Sequence, residues 1–143
     1  MAALTITASQ VLPSGGPTEA GTAGAAITPG QSVYRDAATG TWKPAQGDGT
    51  AAEAGADGYG IALTQAAAAG QPVVVALPGA KVTLGAGAAP ATGIVYFIGD
   101  TAGGLHPAGD LGSGDKVTAM GVGIASNRIL IFGGTYDAGA VIA

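Results

Sequence analysis

One histidine, nine acidic side chains and no cysteine bound the chemistry open to this 143-residue chain. His106 stands in GLHPAG, a turn-like context that reads as a solvated loop histidine rather than a catalytic base or metal ligand. A zinc centre needs three or four ligands, which one imidazole without thiolates does not supply. No metal or cofactor is expected. The serine of Gly112-Ser113-Gly114 lacks the G-x-S-x-G strand–turn–helix setting that presents a nucleophile. Gly47-Asp48-Gly49-Thr50-Ala51-Ala52 matches G-x-G-x-x-A, but a dinucleotide site needs a strand before it and a helix after it. Here a Trp-Lys-Pro-Ala strand end precedes it and Gly55 follows, so it reads as loop. Asp48, Glu53 and Asp57 in the loop 47–58 could hold calcium weakly, although their spacing is not that of an EF-hand and its closing glutamate is missing. Carboxylate pairs for glycoside hydrolysis meet in space, so sequence spacing does not decide them. The aromatics Tyr34, Trp42, Tyr59, Tyr96 and Phe97 read as core and interface groups rather than sugar platforms. The expectation is a protein that is not an enzyme.

The elements that would position these residues are strands. PGQSVYRDAATGTWKPA at 29–45 reads as a hairpin, and ATGIVYFIGDTAGGLHPA at 91–108 repeats its Val-Tyr strand, Gly-bearing turn and Pro-Ala ending. SVY at 32–34 aligns with IVY at 94–96 at an offset of 62, and YGIAL at 59–63 with VGIAS at 122–126 at an offset of 63. PVVVAL at 72–77 then answers RILIF at 128–132 at about 56. Two similar β units, 25–79 and 88–134, follow from this pattern, each a hairpin, a Gly-rich loop, a GIA strand and an apolar strand. GAKVTLGAG supplies a further strand between them, and LTQAAAAGQ could form one helical turn. No window shows long helical periodicity. The fold class is all-β. Two such units could close into a small barrel or tulip-like domain over 25–143, hiding their edges. Residues 1–24 read as a flexible N-terminal arm, a β-prone LTITASQVL followed by a Gly/Pro-rich linker. Such an arm is expected to be mobile until it pairs with a partner.

Thirty-two alanines inflate the 48% hydrophobic fraction, while Leu, Ile, Val and Phe together make only about 20%. That implies a thin core, which oligomerisation would compensate. Five basic against nine acidic side chains argue against nucleic-acid binding. The N-terminus lacks the basic region of a signal peptide. Residues 58–80 and 82–99 carry no charge, yet Pro72, Pro78 and Pro90 and many glycines interrupt them. They read as buried strands, with no membrane span.

The LTITASQVLP arm, TEAGTAGAAITPGQSVYRDAATGTWKPA, DGYGIALTQAAAAGQPVVVAL and the closing GVGIASNRILI together resemble the capsid decoration, or cement, proteins of tailed phages. The likeness covers roughly residues 3–134 and lies in the order of segments rather than in any one motif. It implies a non-catalytic, β-rich homotrimer on the outer surface of the virion, made in the host cytoplasm and bound to the major capsid protein. It also implies that the arm (Leu4, Thr5, Ile6, Thr7, Val11 and Leu12) docks on the capsid by strand addition, with Leu4 and Ile6 facing one way and Thr5 and Thr7 the other. The hairpins 32–44 and 94–106 become candidate contact surfaces through Tyr34, Trp42, Tyr96 and Phe97. Another virion part, such as a tail-tube or head-fibre protein, or a secreted adhesive β module, would share this composition.

Overall fold

The structure, a computed structural model, describes residues 4–47, 49–50, 53–55, 58–99, 101–112, 115–132 and 140–141. Its strands in chain order are β1 (Leu12–Pro13), β2 (Thr18–Thr22), β3 (Ser32–Asp36), β4 (Thr41–Pro44), β5 (Tyr59–Ala62), β6 (Pro72–Ala76), β7 (Lys81–Thr83), β8 (Val95–Ile98), β9 (Leu105–Pro107), β10 (Lys116–Val117), β11 (Ala119–Ile124), β12 (Arg128–Ile131) and β13 (Ala140–Val141). Short 3-10 turns at Ala8–Gln10 and Ala108–Asp110 are the only helical elements among the described residues. The domain is all-β. Residues 64–70, where a helical turn was expected, run as bends around a bridge from Ala66 to Ile27.

Every ladder is antiparallel. One sheet has the order β2-β6-β5-β3-β4 and the other β1-β7-β12-β11-β8-β9, while β10 and β13 form a separate ribbon. The first sheet is therefore reproduced by β7, β12, β11, β8 and β9 of the second, strand for strand, and the duplication is visible in the topology. Its register differs from the alignment of the sequences. Val33 pairs with Gly60 and Val95 with Val122, an equivalence at 62 rather than 63. Ile61 pairs with Ala76 and Gly123 with Ile129, so Ala76 and Ile129 stand in the same place, three residues from the sequence alignment. The cause is the connection between the paired strands. Residues 63–71 link β5 to β6, whereas β11 and β12 are joined by 125–127, a tight turn with Ser126 and Asn127 at φ 66 and 57. Two successive left-handed residues match the twist of a short hairpin.

The expected barrel does not close. In the first sheet the outer strands β2 and β4 meet only through an isolated parallel bridge between Ala23 and Trp42, with Gly24 N donating to Trp42 O at 2.7 Å. The molecule instead has two cores. One face of the first sheet packs Tyr34, Tyr59, Ile61 and Ala76 against Ile98, Met120, Ile129 and Ile131 of the second. The opposite face carries Val33, Trp42, Ala62, Val73 and Val75 and is covered by Ala23, Ile27 and Ala66.

Residues 4–13 belong to this body. Leu4 N donates to Leu105 O at 2.9 Å, Leu4 and Ile6 pack on the larger core, and Val11 is buried within it. β1 then pairs with β7, Leu12 opposite Thr83. The supposed linker contains β2, paired along its whole length with the Val-rich β6. The expectation of a free arm over 1–24 is thus corrected for residues 4–24: main-chain pairing with β6 and β7 offsets the flexibility of its glycines. The segment is also not one strand, because Ala8–Gln10 turns it. Gly30, at φ 91, permits the close approach, since a Cβ there would collide with the Ile6 and Val11 side chains.

Candidate functional site

The structure gathers the sequence candidates into three places. The first surrounds His106. It lies on β9 opposite Phe97, and the 3-10 turn after it brings Asp110 within reach, Nδ1 to Oδ2 at 3.0 Å. The residue is only 4% exposed, so the expectation of a solvated loop histidine is wrong. Leu105, His106 and Pro107 of the stretch that looked like a turn form a paired strand, and the imidazole lies where Cβ atoms on Gly99 and Gly104 would stand. The spacing His106-x-x-x-Asp110 was the available signal for the pair. Burial raises the Asp110 carboxyl, while the hydrogen bond from His106 lowers it, and the net position is below the ordinary carboxylate value. Nε2, the nitrogen that would take a proton from a nucleophile, is buried and has no hydrogen-bond partner. The pair ties the 3-10 turn to β9.

Two outcomes follow for this pair. His106→Ala should destabilise the chain by about 2–4 kcal/mol, the range for emptying a buried large side chain, as read by chemical denaturation. Asp110, and likewise Asp36 through its hydrogen bond from Lys43, ionises below the ordinary value in the folded chain. Unfolded carboxylates then bind protons more readily than folded ones. Stability should be fully present above about pH 4 and decline as the pH falls below it. Denaturation midpoints between pH 7 and pH 3 measure this, and His106→Ala should flatten the decline.

The second place is the loop 47–58. Asp48 and Asp57 lie outside the described residues. Glu53 is turned inward on its own loop: Thr50 N donates to its Oε1 and Glu53 N donates to Thr50 Oγ1, both at 3.2 Å. Such reciprocal bonding between a threonine and a glutamate three residues on satisfies both backbone N–H groups locally. Among the described residues no three acids or histidines gather to hold a metal ion.

The third place is the seat of the N-terminal segment. Leu4 and Ile6 border a cleft of about 270 Å³ completed by Thr28–Gln31 and Thr101–Gly104. The two hairpins meet beside it, with Ser32 N and Oγ donating to Gly103 O and Gly104 O at 3.0 and 2.9 Å. Thr5 and Thr7 are exposed while Leu4, Ile6 and Val11 face the protein, which is the alternation the residues gave. Leu12 is 59% exposed. Of the four aromatics expected at an interface, Tyr34, Trp42 and Tyr96 are buried in the single chain. Burial raises the Tyr34 hydroxyl, with Lys43 opposing, and Tyr96 Oη accepts a hydrogen bond from Ala91 N at 2.9 Å. These three are core groups. Phe97 alone is half-buried, on the outside of the second sheet.

No protein-family model matches the chain, and no curated protein is similar to it at a significant level. Among the described residues no helix is long and apolar enough to cross a membrane.

Proposed function

We propose that this chain is a structural protein of a phage head, a decoration protein that binds the outer surface of the capsid and stabilises it as a homotrimer. The observation that carries the reading is the order of segments across residues 3–134, which resembles that family. The architecture is compatible with it: two similar β units are joined into one body, and a short N-terminal segment runs over its surface from β9 to β7. A protein of this kind works by adding contacts between capsomers. Each contact that binds only the native shell raises the shell's stability by mass action. The thin core suits a subunit that gains stability from assembly in the same way.

The test is binding to capsids that lack the protein. Purified chain should co-sediment with expanded, undecorated capsids and raise the temperature at which they rupture, and electron microscopy should show density at regular positions on the shell. A chain that stays in the supernatant at micromolar concentration removes this reading. Mass measured across a concentration series separately tests the trimer.

A further inference from the structure

Apart from the register shift at Met120–Gly121, where both residues are buried, the second sheet alternates along β7, β12, β11 and β8. Val82, Ile129, Ile131, Gly121, Gly123, Tyr96 and Ile98 are buried, and the residues between them are half-buried or exposed. In an antiparallel sheet wetted on one side, the outward positions are usually polar. Here they include Val95, Phe97, Val122, Ile124 and Leu130. The first unit shows what the same face does when it is covered. Val33 and Ala62, which stand where Val95 and Ile124 stand, are fully buried beneath the segments carrying Ile27 and Ala66. At β9 the buried His106, held to the 108–110 turn, closes this face. Over β7, β12 and β11 no such cover stands among the described residues. The tight turn at 125–127 replaces the 63–71 segment, and 84–94, in the place of 23–31, packs Leu84 and Ala88 on the larger core instead.

We infer that this outer face is a docking surface for another protein, apolar where it meets Val122 and Leu130 and acidic along the margin beside β7 and β12. The charge follows from the outward positions of the four strands. They contain Lys81, opposite Leu130, and Arg128, opposite Thr83, diagonal to each other in the ladder between β7 and β12, and no acid. Neither cation has a carboxylate partner among the described residues. Size decides between a partner shell and a second copy. Four strands about 4.8 Å apart, with three outward rows about 7 Å apart, present roughly 300–400 Å². A standard interface buries about 800 Å² on each partner, so this face alone does not hold two free copies together. It does suffice as one of several contacts repeated over an array, where linked sites reinforce each other. The inference rests on the reading proposed above, in which the partner is the capsid surface.

The experiment is co-sedimentation with undecorated capsids at low and high salt, using Val122→Asp, the margin variant Arg128→Glu, and Ala20→Asp on the exposed side of β2 as a control. Denaturation first establishes that each variant is folded. Val122→Asp should bind at least tenfold more weakly, Arg128→Glu several-fold more weakly with less dependence on salt, and Ala20→Asp as the unaltered chain does. If the unaltered chain binds and the folded Val122→Asp and Arg128→Glu variants bind equally well, the docking surface is elsewhere and the inference falls while the function stands. If the unaltered chain does not bind capsids at all, the function falls first. If it oligomerises in solution and Val122→Asp abolishes that, a second copy covers the face and the inference is overturned.

Discussion

Trp42→Ala should lower the unfolding free energy of the isolated chain by about 3–5 kcal/mol, the range for deleting a buried tryptophan. The indole is 3% exposed, in the smaller core with Val33, Val73 and Val75. Its backbone is also the point where the first sheet's outer strands meet, through the Ala23 bridge and the Gly24 hydrogen bond. Gly21 packs against the ring so closely that a Cβ there would stand 3.0 Å from Cδ1 and Nε1. Truncation therefore leaves a void that β2 cannot fill without losing its register on β6. Urea denaturation of the monomeric chain reads the effect. A tryptophan serving an interface instead would give a variant of unchanged stability that assembles poorly, and that result would return Trp42 to the contact surface.

Val11→Asp should cost about 3 kcal/mol, and the size has a ceiling of its own. Full burial of a valine side chain contributes about 1.5–3 kcal/mol, and a carboxylate placed there must shed water without a partner. The chain has an escape that a central core residue lacks: the segment 4–13 can lift away and carry the aspartate into solvent. The cost cannot then exceed the docking free energy of the segment, to which Leu4, Ile6 and the Leu4–Leu105 hydrogen bond also contribute. Measuring Val11→Asp measures how firmly the segment is held. Amide exchange at Leu4 should accelerate in the variant while that of Ile129, deep in the larger core, stays slow. If Val11→Asp leaves stability unchanged, the segment is free in solution after all.

The strands were legible where local chemistry agrees with the pairing. SVYR and TWKP around DAATG, and IVYFI before GLHPA, became β3–β4 and β8–β9 because β-branched and aromatic residues flank turns that glycine permits. Their repetition was legible too. What the residues did not disclose depends on partners distant in the chain. TEAGT has no apolar alternation of its own and is a strand because PVVVA needs a neighbour. Tyr34 and Tyr96 looked like interface groups until the two units were placed face to face, and Trp42 until Ile27 and Ala66 were seen to cover it. The register slipped because it is set by connections of unequal length, which an alignment of similar strings does not weigh. At the candidate site, the alternation of Leu4, Thr5, Ile6 and Thr7 was readable, but the surface it faces was not.

The pairing of β1 with β7, and of Leu4 with Leu105, has a consequence for the order in which the chain is made. Synthesis delivers residues 4–13 before their partners on β7 and β9, which emerge only after the whole first unit has left the ribosome. That unit can assemble β2 through β6 on its own ladders as it appears, whereas the N-terminal segment must wait with Leu4, Ile6 and Val11 exposed. Contacts so distant in sequence form late and slowly, since the loop that joins them must close first. Residues made before the first unit are thus placed after it, and during that interval the nascent chain carries an unpaired apolar segment ahead of β2.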